Sequence, residues 1–281
     1  MGRRRNRMEQ AGTPVKRTGV IGLGSMGLQM ARHMVNKGFD VAGFDVDAAA
    51  NKTAASHRVR ICASAKEVGQ AADVVVVMVQ TDTQVEDVVC RSGMLEALAP
   101  GSVICIASSV SPDLCRELAQ KTGARGIGLL DTPVVLGQEA ANNGTLTIYA
   151  GGEERWLARA RPALEAFGAK VLHLGDVGTG QIAKTINNML LWAAMTANFE
   201  TLTLAKKLGA DIPRLIAALG HGSGANWSLS RWGKSTGKWA EKDMDVALEL
   251  AQAVKVPVPL SGLVDQLVKN INQEKMKAFL A

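Results

Sequence analysis

The chain contains 281 residues, 47% of them hydrophobic and 21% charged, which is typical of a folded globular protein and excludes long disordered regions. Aromatic residues are scarce, with one Tyr, five Phe and five Trp against 29 Gly, and this favours an α/β protein over an aromatic-rich β-sandwich. The longest apolar run covers residues 74–79 and is far shorter than the roughly 20 residues that span a bilayer, so no membrane partner is expected.

Positive charge is concentrated at the start of the chain. The net charge is +6, and residues 1–17 alone contribute +5. Because the remaining sequence is nearly neutral, the charge does not indicate a nucleic-acid-binding surface, and nucleic acid is not expected as a partner. We predict a basic, disordered extension over residues 1–16, with a nucleic-acid-binding arm as the alternative.

The four cysteines are isolated from one another in the sequence. None belongs to a Cys-x-x-Cys pair, and no histidine lies at metal-ligand spacing from any of them. We therefore expect neither a metal site nor a disulfide framework, and we predict a cytoplasmic location, where thiols stay reduced. The cysteines are Cys62, Cys90, Cys105 and Cys115.

The first elements in chain order form a strand–helix–strand unit. Residues 17–22 are a β-branched run that ends in glycine, and a helical pattern follows as far as Gly38. A second strand is predicted at residues 40–45, so this segment is a βαβ unit with a parallel sheet. Further strands are predicted at residues 58–62, 73–79, 102–106, 128–131, 146–150 and 170–174.

Strand patterns become rare after the glycine-rich residues 175–180. A long helix is predicted over residues 181–208, with apolar residues on more than one side, as in a helix central to a bundle or an interface. Further helices are predicted at residues 211–219, 243–255 and 260–272. The predicted fold class is therefore α/β: an N-terminal Rossmann-type, doubly wound parallel sheet over residues 17–177, followed by an all-α domain over residues 178–281.

A glycine-rich motif follows the first predicted strand. The segment Gly22-Leu23-Gly24-Ser25-Met26-Gly27 matches G-x-G-x-x-G, with a strand before it and a helix after it. In this pattern Gly22 allows a tight turn, Gly24 lets the backbone approach a pyrophosphate, and Gly27 permits close packing of the helix on the strand. An accidental match in an ordinary turn is the alternative, and the flanking elements favour dinucleotide binding.

The acidic residue that ends the second predicted strand indicates which dinucleotide is bound. Asp45 can accept hydrogen bonds from a ribose hydroxyl. The residues after it, Val46, Asp47 and Ala48, include no cation that would neutralise a 2′-phosphate. The expected cofactor is therefore NAD rather than NADP.

A second group of polar residues begins the long predicted helix. Lys184 and Asn188 are four residues apart, which places them on one helix face with about 6 Å between them. A lysine and an amide can together hold a substrate oxygen and its proton. A solvated helix face is the alternative, and the neighbouring dinucleotide-binding domain favours a catalytic role. Three tryptophans farther along, at 227, 232 and 239, indicate either core packing or an aromatic wall.

These motifs together resemble those of the β-hydroxyacid dehydrogenase family, which includes 3-hydroxyisobutyrate dehydrogenase and tartronate semialdehyde reductase. The resemblance covers residues 18–272 in continuous order and implies a dinucleotide-binding domain joined by a long helix to a C-terminal domain of the 6-phosphogluconate dehydrogenase type. It also implies a homodimer or homotetramer that acts on a small-molecule substrate. The matching segments are Gly22–Gly27, Asp131–Val134 with Gly144–Leu146, Gly178–Asn188, and Lys242-Asp243.

The resemblance also implies roles for individual residues. The family's catalytic lysine corresponds to Lys184 and its substrate-binding amide to Asn188, while Lys242 matches a lysine near the nicotinamide. Positions that line the cofactor in the family correspond to Val79, Gln80, Gln84 and Ser109.

The chain departs from the family pattern at the segment that binds the substrate carboxylate. The family usually has Ser-Gly-Gly there, and this chain has Val135, Leu136 and Gly137. The change removes a hydroxyl donor and adds apolar bulk, which predicts a substrate with an apolar substituent. A second departure replaces the family's Leu-Pro pair with Val79 and Gln80.

The sequence therefore predicts an NAD-dependent oxidoreductase that transfers a hydride between the nicotinamide and a small 3-hydroxy acid or its aldehyde or ketone. Lys184 is the predicted proton relay. An imine or bulky-ketone reductase on the same scaffold is one alternative, and a non-catalytic dinucleotide-binding module is another.

Overall fold

The computed structural model describes residues 15–234 and 237–280, so most of the predicted extension at residues 1–16 lies outside the described residues. The chain divides into two compact units, of which the first ends at Lys184 and the second begins at Thr185.

The first unit is built on a six-stranded parallel sheet with strand order β3-β2-β1-β4-β5-β6. Helices connect successive strands, so the predicted Rossmann-type fold class is confirmed. The strands are β1 (Arg17–Ile21), β2 (Asp40–Phe44), β3 (Arg60–Ile61), β4 (Val74–Val77), β5 (Val103–Ile106) and β6 (Gly128–Asp131).

The composition of β4 explains why this sheet is parallel and covered on both faces. All four of its valines are fully buried, and alternate ones belong to different hydrophobic clusters: Val74 and Val76 to one, Val75 and Val77 to the other. A strand with helices on both sides needs apolar residues throughout rather than at every second position. Burial on two faces also fixes the position of the loops that follow each strand.

The later strands of the first unit form a separate three-stranded sheet, so the prediction of one continuous sheet over residues 17–177 is wrong. In this sheet β7 (Val134–Val135) pairs antiparallel with β8 (Leu146–Ala150), which pairs parallel with β9 (Gly168–His173). β7 has only two residues and is not among the predicted strands. From β6 the chain continues alongside β8 into β7: Asp131 forms an antiparallel bridge with Gly151, and the N–H of Tyr149 donates to the carbonyl oxygen of Pro133 at 3.1 Å.

Helices fill the connections of the first unit. The helices are α1 (Gly27–Asn36), α2 (Ala48–Ser56), α3 (Ala65–Ala71), α4 (Asp82–Glu86), which continues as a π-helical turn (Asp87–Arg91), α5 (Met94–Ala97), α6 (Pro112–Gly123), α7 (Gly137–Asn143) and α8 (Glu154–Leu164). The long helix α9 (Thr179–Lys207) begins in this unit and continues into the second.

Within its described residues the second unit contains helices joined by loops and no strands, as predicted. Its core contains Trp192 and Met195 of α9 together with Met244, Val264 and Met276. The helices after α9 are α10 (Ile212–Leu219), α11 (Trp227–Ser230), α12 (Ala240–Ala253), α13 (Pro259–Val268) and α14 (Gln273–Lys277). Within the described part of the chain, no helix combines the length and apolar character needed to cross a membrane.

The three tryptophans singled out in the sequence, at 227, 232 and 239, differ in burial. Trp232 is buried against the rings of Phe199 and Phe279, with centroid distances of 6.3 and 5.8 Å, and serves core packing. Trp227 and Trp239 are 43% and 50% exposed.

Candidate dinucleotide and catalytic sites

The carboxyl edge of the six-stranded sheet gathers most of the residues predicted to bind a dinucleotide. The strand order reverses between β1 and β4, and the crevice at such a reversal is where open α/β sheets bind ligands. The glycine-rich segment follows β1 and Asp45 follows β2. Val79 and Gln80 follow β4, and Ser109 follows β5.

The three glycines of the motif are required for different reasons. Gly22 has φ +90°, and a Cβ there would lie 2.1 Å from the carbonyl oxygen of Met78. A Cβ on Gly27 would lie 1.9 Å from the carbonyl oxygen of Gly22. A Cβ on Gly24 would meet nothing within 4 Å, and Gly24 does not need a positive φ. The fold therefore requires Gly22 and Gly27, whereas the space over Gly24 fits the close approach of a pyrophosphate.

The start of α1 also suits a phosphate group. No side chain caps this helix at Met26, whereas Asp47, Ser64 and Thr81 cap the starts of α2, α3 and α4. The first N–H groups of a helix have no partner within the helix, and their dipoles favour an anion. Gly24 and Ser25 are exposed immediately before this end, while Leu23 is buried beneath them.

Asp45 connects the end of β2 to the glycine-rich segment. One carboxylate oxygen accepts a hydrogen bond from the backbone N–H of Leu23 at 2.6 Å, and the other accepts from the N–H of Asp47 at 2.9 Å. A carboxylate has about four lone-pair positions, so it can still accept from ribose hydroxyls. Val46 beside it is 92% exposed.

The predicted cofactor residues beyond β4 are joined by local hydrogen bonds. The N–H of Val79 donates to the hydroxyl of Ser108 at 2.8 Å, which links the segment after β4 to the segment after β5. The N–H of Gln80 donates to the side-chain oxygen of Gln84 at 2.8 Å, so these two predicted residues are in contact. Ser109 is half-buried beside Ser108.

The three predicted substrate-binding residues after β6 differ in exposure and conformation. Val135 is only 6% exposed and pairs with Thr147 in the small sheet. Leu136 is 39% exposed and has φ +82°, and Gly137 follows with φ +72°. A leucine in the left-handed region is uncommon and strained. Leu136 is therefore the member of this segment with an accessible apolar side chain.

Asp131, for which the sequence predicts no individual role, organises the start of α9. It is fully buried at the end of β6, and its carboxylate accepts the N–H of Gly178 at 2.7 Å and the N–H of Gln181 at 2.8 Å. Burial raises the pKa of Asp131, and the hydrogen bonds from Gly178 and Gln181 oppose that rise. A Cβ on Gly151 would lie 2.4 Å from this carboxylate, so glycine makes room for it.

Gln181 extends this arrangement to the loop after β5. Its side-chain oxygen accepts the N–H of Val110 at 3.2 Å, and its amide donates to the carbonyl oxygen of Ser108 at 2.7 Å. Gln181 is 1% exposed. The first turn of α9 is thus fixed to two strand ends of the main sheet. The sequence held two signals for Asp131: it ends a strand of otherwise apolar residues, and it begins a segment that matches the family.

The predicted catalytic residues fall on both sides of the boundary between the units. Lys184 is half-buried and is the last residue of the first unit, three residues after Gln181. Asn188 is 4% exposed and Lys242 is half-buried at the start of α12, both in the second unit. Asp243, which follows Lys242, accepts a hydrogen bond from the indole N–H of Trp192 at 3.0 Å.

Two family models match consecutive parts of the chain. The NAD binding domain of 6-phosphogluconate dehydrogenase matches residues 17–175, and the NAD-binding domain of NADP-dependent 3-hydroxyisobutyrate dehydrogenase matches residues 178–278. The chain thus has nicotinamide-dinucleotide-binding domains, in agreement with the geometry of the glycine-rich segment.

Similar proteins extend over nearly the whole chain. A 3-hydroxyisobutyrate dehydrogenase of Pseudomonas aeruginosa is 33% identical over 88% of this chain and 89% of its own. An NAD-dependent L-serine dehydrogenase of the same organism is 32% identical over 89% of this chain and 90% of its own. The structure of Mycobacterium tuberculosis 3-hydroxyisobutyrate dehydrogenase with L-serine has a TM-score of 0.84 and 28% identity, covering 94% of this chain and 99% of that one. The chain belongs to the β-hydroxyacid dehydrogenase family and is a dehydrogenase.

Proposed function

We propose that this protein is an NAD-dependent dehydrogenase of small 3-hydroxy acids that interconverts them with the matching aldehydes or ketones. The observation that carries the proposal is the open space over Gly24 beside Asp45, at the point where the strand order reverses. The family supplies the reaction class, and this crevice supplies a place for the dinucleotide.

The proposed chemistry divides between the cofactor and two side chains. Bound NAD⁺ supplies the hydride acceptor for the carbinol carbon of the substrate. Lys184, with its amine in the neutral form, accepts the hydroxyl proton as the C–O bond becomes a carbonyl, and it returns that proton in the reverse direction. Asn188 orients the substrate, and Lys242 assists near the nicotinamide.

The preference for NAD is supported by charge at the end of β2. Asp45 and Asp47 are both acidic, and the exposed residue between them, Val46, carries no charge. A 2′-phosphate would meet repulsion there, while ribose hydroxyls can donate to the Asp45 carboxylate.

We also propose a homodimer or homotetramer in the cytoplasm. Leu190, Leu204 and Leu208 of α9 are 68%, 61% and 77% exposed, and exposed apolar side chains on one helix are suited to contact between copies. The four cysteines form no Cys-x-x-Cys pair, a pattern that favours a reducing compartment. Light scattering on the purified protein measures the number of copies directly.

The test of function is a substrate panel measured with both dinucleotides. The panel contains 3-hydroxy acids, their aldehydes and a cyclic imine, and oxidation or reduction is followed by NADH absorbance. Lys184→Ala is expected to lower kcat by about 10²–10⁴-fold, the usual contribution of a general acid–base, with NADH affinity within twofold of wild type. Lys207→Ala, at the exposed far end of the same helix, is the control. Turnover of the imine alone, or wild-type kcat in Lys184→Ala, would contradict the proposal.

A further inference from the structure

The side chain of Gln181 holds the loop after β5 at two points. Its oxygen accepts the N–H of Val110 at 3.2 Å, and its amide group donates to the carbonyl oxygen of Ser108 at 2.7 Å. These two backbone groups flank Ser109, the residue of this loop that is predicted to line the cofactor. The loop is anchored on its other side as well, because the hydroxyl of Ser108 accepts the N–H of Val79 at 2.8 Å. Two predicted cofactor residues are thus joined to one buried glutamine.

The backbone of Gln181 is held as closely as its side chain. Its N–H donates to the Asp131 carboxylate at 2.8 Å, beside the N–H of Gly178 at 2.7 Å. A Cβ on Gly180 would lie 2.6 Å from the carbonyl oxygen of Tyr149 and 2.8 Å from the Asp131 carboxylate, so a larger residue would push the helix away. The first turn of α9 therefore has little freedom to slide or rotate against β6.

Lys184 lies three residues after Gln181, on the same face of α9. Both residues belong to the first unit, together with Ser109. Gln181 and Ser108 are each 1% exposed, so water cannot replace a hydrogen bond lost between them. Apolar packing is not directional, whereas the amide needs a carbonyl on one side and an N–H on the other. The buried amide therefore fixes where the helix that carries Lys184 lies relative to Ser109.

From these contacts we infer that Gln181 is a positioning residue for the dehydrogenase reaction, because it sets the distance between the cofactor-lining loop at Ser109 and the proton relay Lys184. The inference rests on the proposed function, which supplies the role of Lys184. Oxidation of the carbinol sends a hydride from carbon to NAD⁺ and a proton from oxygen to the neutral Lys184 amine, and the C–O bond becomes a carbonyl. Both transfers need their partners almost in contact, and a misplacement of about 1 Å can lower a rate by about 10²-fold.

The test replaces Gln181 with methionine, which is also unbranched but has only a weakly accepting thioether. The substrate is the 3-hydroxy acid of the panel that the wild-type protein oxidises fastest, and kcat is counted per NADH-binding site so that unfolded protein does not contribute. Gln181→Met should lower this kcat by about 10–10²-fold. The Kd of NADH should stay close to the wild-type value, because Asp45 bonds to the glycine-rich segment and not to this network. With substrate deuterated at the carbinol carbon, the isotope effect on kcat should equal or exceed that of the wild type, because hydride transfer is the step that slows.

Ser92→Ala is the matched control for stability. The Ser92 hydroxyl also donates to a backbone carbonyl, that of Val88 at 2.6 Å, and accepts a backbone N–H, that of Met94 at 3.2 Å. It lies in the same unit, just before α5. Both substitutions should lower the Tm, because each leaves backbone groups without their partner. Only Gln181→Met should lower kcat.

Gln181→Glu tests the same geometry reversibly. When protonated, the introduced carboxyl offers one O–H donor and one acceptor oxygen, as the amide does; when ionised, it can only accept and would face the carbonyl oxygen of Ser108. The kcat of this variant divided by the wild-type kcat should therefore rise as the pH is lowered, while the same ratio for Gln181→Met stays flat. The neighbouring ionisable groups Asp131, Cys115 and Lys184 are common to all three proteins, so the introduced carboxyl is the difference.

Four results would overturn the inference. Wild-type kcat in folded Gln181→Met, or a lowered kcat with a smaller isotope effect, would overturn it and leave the proposed function intact. A large loss of NADH affinity in that variant would assign Gln181 to dinucleotide binding instead. If Gln181→Met does not fold, Gln181→Glu decides, and a ratio that does not rise at lower pH would overturn the inference. Absence of any hydroxy-acid oxidation by the wild-type protein would overturn the proposed function as well.

Discussion

Alanine substitutions in the glycine-rich segment should separate the needs of the fold from the needs of the ligand. Gly24→Ala adds a Cβ that meets nothing within 4 Å on a backbone that does not require a positive φ. A Gly→Ala change of this kind stabilises a protein by about 0.4–1 kcal/mol, because the unfolded chain loses freedom. The Tm should therefore stay the same or rise slightly. Thermal unfolding of the purified protein measures this.

NADH binding should respond in the opposite way. The added methyl group occupies the space over Gly24 and prevents the backbone from approaching the pyrophosphate. A lost hydrogen bond to a charged group is worth about 1.5–3 kcal/mol, which corresponds to a Kd roughly 10–150-fold weaker. Titration of NADH fluorescence measures the change. Gly123→Ala is the matched control, because its Cβ also meets nothing within 4 Å and it lies at the end of α6.

Gly27→Ala gives the contrasting case. Its Cβ would lie 1.9 Å from the carbonyl oxygen of Gly22, so the backbone must shift, and overpacking of this kind costs about 1–3 kcal/mol or more. The Tm should fall by several degrees. Wild-type NADH affinity in Gly24→Ala, or a fall in its Tm as large as that of Gly27→Ala, would refute the assignment of Gly24 to the ligand.

Three further predictions concern charge and burial. Replacing Asp45 with Ser and Val46 with Arg should move the preference from NAD towards NADP, as measured by the ratio of kcat/KM values; a wild-type protein that already prefers NADP would contradict this. Asp131→Asn should lower the free energy of unfolding at neutral pH by about 1.5–3 kcal/mol for each charge-assisted hydrogen bond lost, and the Tm reports it. Burial raises the folded-state pKa of Asp131 above its usual 3.8, so protonation favours the folded wild-type protein. The difference in free energy of unfolding between the wild type and Asp131→Asn should therefore widen as the pH falls through that pKa towards 3.8. Above that pKa the difference should stay constant. Among the thiols, half-buried Cys90 should react first with a disulfide reagent at pH 8, while Cys105, whose pKa burial raises to about 12, should react only on unfolding.

Local patterns in the sequence predicted the parts of the structure that depend on near neighbours. Asp45 lies 18 residues after Gly27, the last glycine of the motif, and strand, turn and helix follow one another directly there. The role of Asp131 could not be predicted, because its partners Gly178 and Gln181 lie 47 and 50 residues away. In the small sheet β8 and β9 lie at predicted strands, whereas β7 was not predicted, since its two residues show no alternating pattern.

The positive φ of Leu136 is also not predicted from the residue itself. A leucine by itself gives no indication of a positive φ, and the structure shows one of +82°. The sequence predicts that Val135 binds the substrate together with Leu136. The structure gives the two side chains different exposure, because the strand pairing of Val135 ends before Leu136.

The hydrogen bonds from Gly178 and Gln181 to the Asp131 carboxylate have a consequence for the synthesis of this protein and for fragments of it. A nascent chain that has emerged only as far as residue 177 already contains every strand of the first unit, but the carboxylate of Asp131 still lacks the two N–H donors that come from Gly178 and Gln181. Ser108 and Val110 also lack the amide of Gln181 at that stage. Burying the Asp131 carboxylate without its hydrogen-bond donors costs free energy, which would disfavour completion of the fold until those residues emerge. A dinucleotide-binding fragment intended to fold alone must therefore include the first turn of α9.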